Sequence, residues 1–121
     1  MSENKKVLVV DDSKVARLTI REMMRRVNPG ISITDLGSPQ EALDLIVNED
    51  FDLISLDFNM PEMNGLELAL KLKEIKQNLK IVILTANIQQ SIRDKVESQG
   101  ISFLQKPINE KVVRMIVDMV S

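Results

Sequence analysis

The sequence contains no histidine, cysteine, tryptophan or tyrosine. Without cysteine, disulfides, thiolate chemistry and Cys-ligated zinc are excluded. Without histidine, no imidazole is available as base, metal ligand or phosphate carrier. Phe is the only aromatic, 2% of the chain, so there is no ring platform for single-stranded nucleic acid. Leu, Ile, Val and Met must therefore fill the core. Excess positive charge is also lacking. The net charge of −2 argues against bulk attraction to DNA or RNA. Long apolar runs are absent too: the polar start, Met1 to Lys6, leads into only Val7-Leu8-Val9-Val10. That is too short for a signal peptide or a membrane span, so a soluble cytoplasmic protein is expected.

What is present is an ordinary globular composition, 44% hydrophobic and 28% charged over 121 residues. That length predicts one domain, residues 1–121, with a single substantial core. Strand-like and helix-like patterns alternate from end to end, with no repeat or linker. The strands are expected at Lys6–Val10, Ile31–Leu36, Leu53–Leu56, Ile81–Thr85 and Ile101–Leu104. Three of them are near-continuous apolar runs, as in strands buried on both faces. Ala16, Ile20, Met23 and Val27 mark one face of a first helix, which Asn28-Pro29-Gly30 ends. Ser38-Pro39-Gln40-Glu41 opens a second helix with a capping box. A third follows Asn64-Gly65, with Leu68, Leu72 and Ile75 on one side. A fourth carries Ile88, Ile92 and Val96 and stops at Gly100. A fifth runs from near Asn109 to the C-terminus. Five βα units imply an α/β fold, a parallel sheet with helices on both faces.

Such sheets bind ligands beyond the carboxyl ends of their strands. Asp11, Asp12, Asp57, Thr85 and Lys106 all fall at or just after strand ends, so they should converge on one cleft. Three carboxylates there repel one another unless something positive sits among them. The pattern calls for a hard divalent cation and leaves one acid free to act as a nucleophile.

The segments Val9-Val10-Asp11-Asp12-Ser13, Leu56-Asp57-Phe58-Asn59-Met60-Pro61-Glu62-Met63-Asn64-Gly65, Leu84-Thr85-Ala86 and Lys106-Pro107 stand in the order and spacing of a known family. The chain resembles the response-regulator receiver domain, and in length a stand-alone, CheY-like receiver. The resemblance covers the chain from about Lys5 onward. It implies a flavodoxin-like, doubly wound (βα)5 fold with strand order 2-1-3-4-5. It also implies a two-component phosphorelay role: phosphorylation of Asp57 by a sensor histidine kinase or a His phosphotransfer protein, with Lys106 and Thr85 on the phosphoryl oxygens. Mg²⁺ would be held by Asp11, Asp12, Asp57 and the Asn59 backbone carbonyl. Pro107 would follow a cis peptide bond that aims Lys106 inward. Asn59 and Asn87 take the positions that tune hydrolysis, and Asn87 departs from the acidic residue of the best-known chemotaxis receivers. A separate phosphatase is a further expected partner. With no histidine, the chain fits the receiving end of such a relay.

Thr85 and Phe103 take the family's switch positions, Phe103 standing where many relatives carry Tyr. Output is expected by docking through the helix 4–strand 5–helix 5 face, with Met115 and Met119 as adaptable contacts on a fifth helix packed through Val113, Ile116, Val117 and Val120. The protein would be a monomer or a weak homodimer through that face, with chemotaxis one pathway served by stand-alone receivers. A basic stripe, Lys14, Arg17, Arg21 and Arg25, together with Val15, could meet the phosphate donor. The chain would catalyse its own phosphorylation and dephosphorylation without turning over a separate substrate. Two other readings stay open. A Mg²⁺-dependent phosphohydrolase of the haloacid dehalogenase type also uses Asp as nucleophile, but wants Asp-x-Asp after its first strand and a cap. A non-phosphorylated interaction module would have lost Asp57, Thr85 or Lys106.

Overall fold

Near-continuous apolar strands need neighbours on both edges and cover on both faces, and the three such runs here occupy the middle of one sheet. In a computed structural model, which describes residues 5–86 and 89–120, the strands are β1 (Lys6–Val10), β2 (Ser32–Leu36), β3 (Leu53–Asp57), β4 (Ile81–Thr85) and β5 (Ser102–Gln105). All pairs are parallel, and the order is β2-β1-β3-β4-β5. The helices between and after them are α1 (Lys14–Val27), α2 (Pro39–Ile46), α3 (Gly65–Ile75), α4 (Gln90–Ser98) and α5 (Glu110–Val120). The flavodoxin-like order expected from the resemblance is the one observed. No helix among the described residues is long and apolar enough to cross a membrane.

The strand alternation splits the core into two layers. Val7, Val9, Val82 and Leu84 face α1 and α5, where they meet Ile20, Met24, Val113 and Ile116. Leu8, Val10, Leu56 and Ile83 face the other way, toward Ala42 and Ile46 of α2, Leu68 and Leu72 of α3, and Val96 of α4. Burying each such Leu, Ile or Val contributes about 1.5–3 kcal/mol against chain entropy. The edge strands β2 and β5 are correspondingly mixed in sequence and half-exposed.

Several boundaries differ from those expected by a residue. β3 runs on to Asp57, and β5 covers Ser102–Gln105 instead of Ile101–Leu104. Backbone pairing, not apolarity, sets these ends: Asp57 is in register with Leu84, and Gln105 with Thr85. On α1 the fully buried pair is Ile20 and Met24, with Met23 only half-buried beside them.

The helix ends follow their capping chemistry. The Ser13 and Ser38 hydroxyls accept the N–H groups of Ala16 and Glu41. The Glu41 carboxylate takes the Ser38 hydroxyl. The full reciprocal box lies instead at α3: Asn64 Oδ1 accepts from Glu67 N–H at 2.8 Å, and Glu67 Oε1 from Asn64 N–H at 3.0 Å. Asn109 Oδ1 accepts the Val112 N–H at the start of α5. Gly100 closes α4 with φ +73°, a conformation only glycine adopts cheaply. Of the expected α4 face, Ile88 lies outside the described residues; Val96 is buried and Ile92 partly so.

Candidate functional site

The carboxyl edges of β1, β3, β4 and β5 converge on one surface. Asp11 follows β1 directly, Asp57 and Thr85 are the last residues of β3 and β4, and Lys106 follows β5. Asp11, Asp57 and Thr85 are buried; Asp12 is exposed. Asp11, Asp12 and Asp57 each offer a carboxylate oxygen, and these oxygens lie within 4.8 Å of one another. Lys106 Nζ reaches into the group, 3.0 Å from Asp57 Oδ1 and 3.5 Å from Asp11 Oδ2. The Lys106–Pro107 peptide bond is cis, as the resemblance implied.

The electrostatics follow from burial first. Desolvation raises the proton affinity of Asp57 above that of an ordinary aspartate; the Lys106 hydrogen bond opposes it, the Asp11 charge adds to it, and a backbone hydrogen bond from Asn59 opposes it again. Burial works to lower the Lys106 ammonium as well. The hydrogen bond to Asp57 and the Asp11 and Asp57 charges outweigh it, so Lys106 holds its proton above the ordinary lysine value. Asp11 Oδ1 accepts the Ser13 N–H at 2.9 Å, whereas its Oδ2 is buried with no hydrogen bond. A buried carboxylate oxygen that has only the Lys106 ammonium 3.5 Å away to offset it, facing two further carboxylates, is a poor arrangement for a bare protein and a good one for a hard cation with oxygen ligands.

Gly65 makes this edge possible. A Cβ at that position would stand 2.7 Å from the Asp57 carbonyl oxygen and 3.0 Å from Phe58 Cα. The Gly65 N–H instead donates to Phe58 O at 2.8 Å, so the start of α3 presses directly on the end of β3. Asn59, in the loop between them, is exposed.

Thr85 shares strand parity with Ile83 and so lies on the α2–α4 side of the sheet, as does half-buried Phe103. The Arg93 guanidinium stands 5.7 Å from the Phe103 ring centroid. Beside them a cleft of about 520 Å³ is lined by Arg93, Phe103, Lys106, Pro107 and Met115, among others. Met115 is 42% exposed there. Met119, expected on the same face, does not join it. It is partly buried against the α1–α5 layer and lines a smaller cleft with Leu79, Lys80 and Ser102, at the opposite end of the sheet. Asn87 lies outside the described residues.

The basic stripe on α1 is not a free surface. Arg17 Nε donates to Asp35 Oδ2 at 2.9 Å and Arg21 Nη1 to Asp35 Oδ1 at 2.7 Å. Arg17 Nη1 also bonds the Asp11 carbonyl, and Arg21 Nη1 the Ile33 carbonyl. The helical step of four that aligns these arginines in sequence points them at the edge strand β2, not at solvent. Lys14, Arg25 and Val15 do remain exposed, Val15 at 74%. Asp35 escapes sequence reasoning altogether, because only the β1–β2 register brings it beside α1. The α3 capping box did leave a signal, Asn64-x-x-Glu67.

Known proteins resemble the chain in sequence and in fold. Residues 7–118 match the family model of the response regulator receiver domain. The chain is 32% identical over 111 residues to the cyclic di-GMP phosphodiesterase response regulator RpfG of Xanthomonas campestris, covering 89% of this chain and 29% of that protein. It is 29% identical to sporulation initiation phosphotransferase F of Bacillus subtilis, covering 92% of this chain and 89% of that one. Among solved structures, the chemotaxis protein CheY4 of Vibrio cholerae superposes with TM-score 0.83 at 26% identity, over 98% of this chain and 99% of that chain. The response regulator TrrA of Thermotoga maritima, solved in complex with Mg²⁺-BeF, gives TM-score 0.82 at 28% identity, over 97% and 99%. With the fold, the acid group and a family match spanning residues 7–118, the chain belongs to the response regulator receiver domain family of two-component systems.

Proposed function

We propose that this receiver accepts a phosphoryl group on Asp57 from a partner's phosphohistidine or from a small acyl phosphate. The observation that carries the reading is the contact of Lys106 Nζ with Asp57 Oδ1 at 3.0 Å, inside a group of three carboxylates at one sheet edge. A structural ion pair would not need Asp11 and Asp12 beside it. In the transfer, an Asp57 carboxylate oxygen attacks phosphorus, the bond from phosphorus to the donor's ring nitrogen breaks, and the neutral imidazole leaves. Burial, which raises the proton affinity of Asp57, also makes its carboxylate a stronger nucleophile.

The residues fit Mg²⁺. Asp11, Asp12 and Asp57 would hold it with the Asn59 backbone carbonyl, and the buried Asp11 Oδ2, which accepts no hydrogen bond, supports that fit. When bound, the ion neutralises the repulsion between the acids and the incoming phosphoryl group. Lys106 then pairs with phosphoryl oxygens in place of Asp57 Oδ1, and the Thr85 hydroxyl donates to another. Movement of Thr85 opens space on the side of the sheet where Phe103 packs. A change of Phe103 rotamer would reshape the cleft that it lines with Met115, and so alter docking through the face formed by α4, β5 and α5. Met115 is retained as a docking contact and Met119 is not. The reading takes residues 1–121 as one unit, supported by the single sheet with core layers on both faces. The relatives include sporulation and chemotaxis proteins, so they bear on the mode of action and not on the pathway.

Incubation with Mg²⁺ and acetyl phosphate tests this against its rivals. One base-labile phosphate per chain supports a phosphoacceptor. Sustained turnover of small phosphate esters would support a phosphohydrolase. An unlabelled but folded chain would support a bare interaction module.

A further inference from the structure

Asp11 is held at three of its hydrogen-bonding groups. Its N–H donates to Leu36 O at 3.1 Å, its Oδ1 accepts from Ser13 N–H at 2.9 Å, and its carbonyl oxygen accepts from Arg17 Nη1 at 2.6 Å. The group left over is Oδ2, buried and 3.5 Å from Lys106 Nζ. Arg17 is itself fixed from behind by Asp35, whose other oxygen holds Arg21. Asp35 is in register with Val9, two residues before Asp11, so the clamp is anchored to the strand beside the one that delivers the acid pair. Gly37 makes room for it, since a Cβ there would lie 3.0 Å from Arg17 Nη1.

We infer that Arg17 is a positioning residue for the divalent-cation site, fixing the β1–α1 loop through the Asp11 carbonyl so that Asp11 and Asp12 are in place before the cation arrives. The inference rests on the phosphoacceptor reading above. The hydrogen bond from Arg17 Nη1 goes to the Asp11 backbone carbonyl, so Arg17 acts on the acid pair through the main chain. The Asp35 carboxylate offsets its charge, so the clamp need not repel the cation it prepares for. Arg21 is the internal control. It shares Asp35 but bonds the Ile33 carbonyl, away from the acid pair. A fixed outer partner of a metal-binding group is worth about 10–100-fold in metal affinity.

The test is calorimetric titration of the full chain with Mg²⁺, for wild type, Arg17→Met, Arg17→Lys and Arg21→Met, beside thermal melts in EDTA. Arg17→Met is expected to weaken Mg²⁺ binding about ten-fold or more. Arg17→Lys, which keeps the charge but cannot bridge both partners, should fall between. Arg21→Met should lose stability yet stay close to the wild-type affinity. Amide exchange at Asp12 and Ser13 in the metal-free protein should accelerate in Arg17→Met and not in Arg21→Met. Wild-type affinity in Arg17→Met, or equal weakening in Arg21→Met, would overturn the inference. Should Arg17→Met fail to fold, Asp35→Asn is expected to weaken Mg²⁺ binding by releasing Arg17, and wild-type affinity there would overturn it equally. Failure of the wild-type protein itself to bind Mg²⁺ would overturn the underlying reading instead.

Discussion

Replacing Asp57 by Asn should make the metal-free protein more stable at neutral pH, although it removes an ion pair. The magnitude comes from the distances. With an effective dielectric of about 20, unit charges 4.8 Å apart repel by about 3.5 kcal/mol, which bounds the Asp11–Asp57 interaction from below. Exposed Asp12 adds about half as much because solvent screens it. Lys106 at 3.0 Å returns about 5.5 kcal/mol on the same scale. The charge terms nearly cancel, so desolvation of Asp57 decides the sign, in agreement with burial being the largest cause of its raised proton affinity. A net gain of about 1–2 kcal/mol is expected for Asp57→Asn, or roughly 4–8 °C in Tm for a chain of this size. The pH dependence follows. The folded protein holds the Asp57 proton more tightly than the unfolded chain, so the wild type suffers no penalty below the ordinary aspartate value of 3.8 and the full penalty above the folded value. Thermal melts of both proteins in EDTA, from acid to neutral pH, supply the assay. The stabilisation should vanish at the acid end and grow as pH rises through the folded value. A variant that melts no higher than wild type at neutral pH, or an advantage that grows toward acid, would refute the reasoning.

Three further perturbations follow from the same geometry. Lys106→Met leaves Asp11 and Asp57 buried without their cation; a loss of about 3 kcal/mol is expected in EDTA, partly restored by Mg²⁺ in a melt. Gly65→Ala drives a Cβ into the Asp57 backbone, so urea unfolding should register a loss of about 1–3 kcal/mol together with weaker Mg²⁺ binding. Ser55, buried in the central strand with an unpaired hydroxyl, should become more stabilising as Ala by about 1 kcal/mol, seen as a higher urea midpoint with an unchanged slope.

Much of this molecule was legible because its signals are local. Four apolar residues before Asp11-Asp12 and the mostly apolar run Phe51 to Leu56 before Asp57 declare buried strands whose ends carry acids, and a βα alternation brings those ends to one edge. Thr85 and Lys106 follow by the same rule. The strand order is different: alternation fixes a parallel sheet, but 2-1-3-4-5 came with the family resemblance. Contacts set by register or by tertiary packing left no local trace. Arg17 and Arg21 look like a solvated stripe until β2 supplies Asp35. Met115 and Met119 look equivalent four residues apart, yet the sheet's length places them at opposite ends. Gly65 announces a helix start; that it also presses against the Asp57 backbone is a property of the folded chain alone.

The central claim is that Asp57 is the phosphoacceptor and that the acid group makes it so through a divalent cation. Intact-mass measurement after acetyl phosphate treatment, on wild type and Asp57→Asn, with Mg²⁺ or with EDTA, tests it most directly. A single added phosphoryl group in the wild type with Mg²⁺, localised to Asp57 and lost in the other three conditions, is the predicted result. Equal labelling of Asp57→Asn, or of the wild type in EDTA, would contradict it.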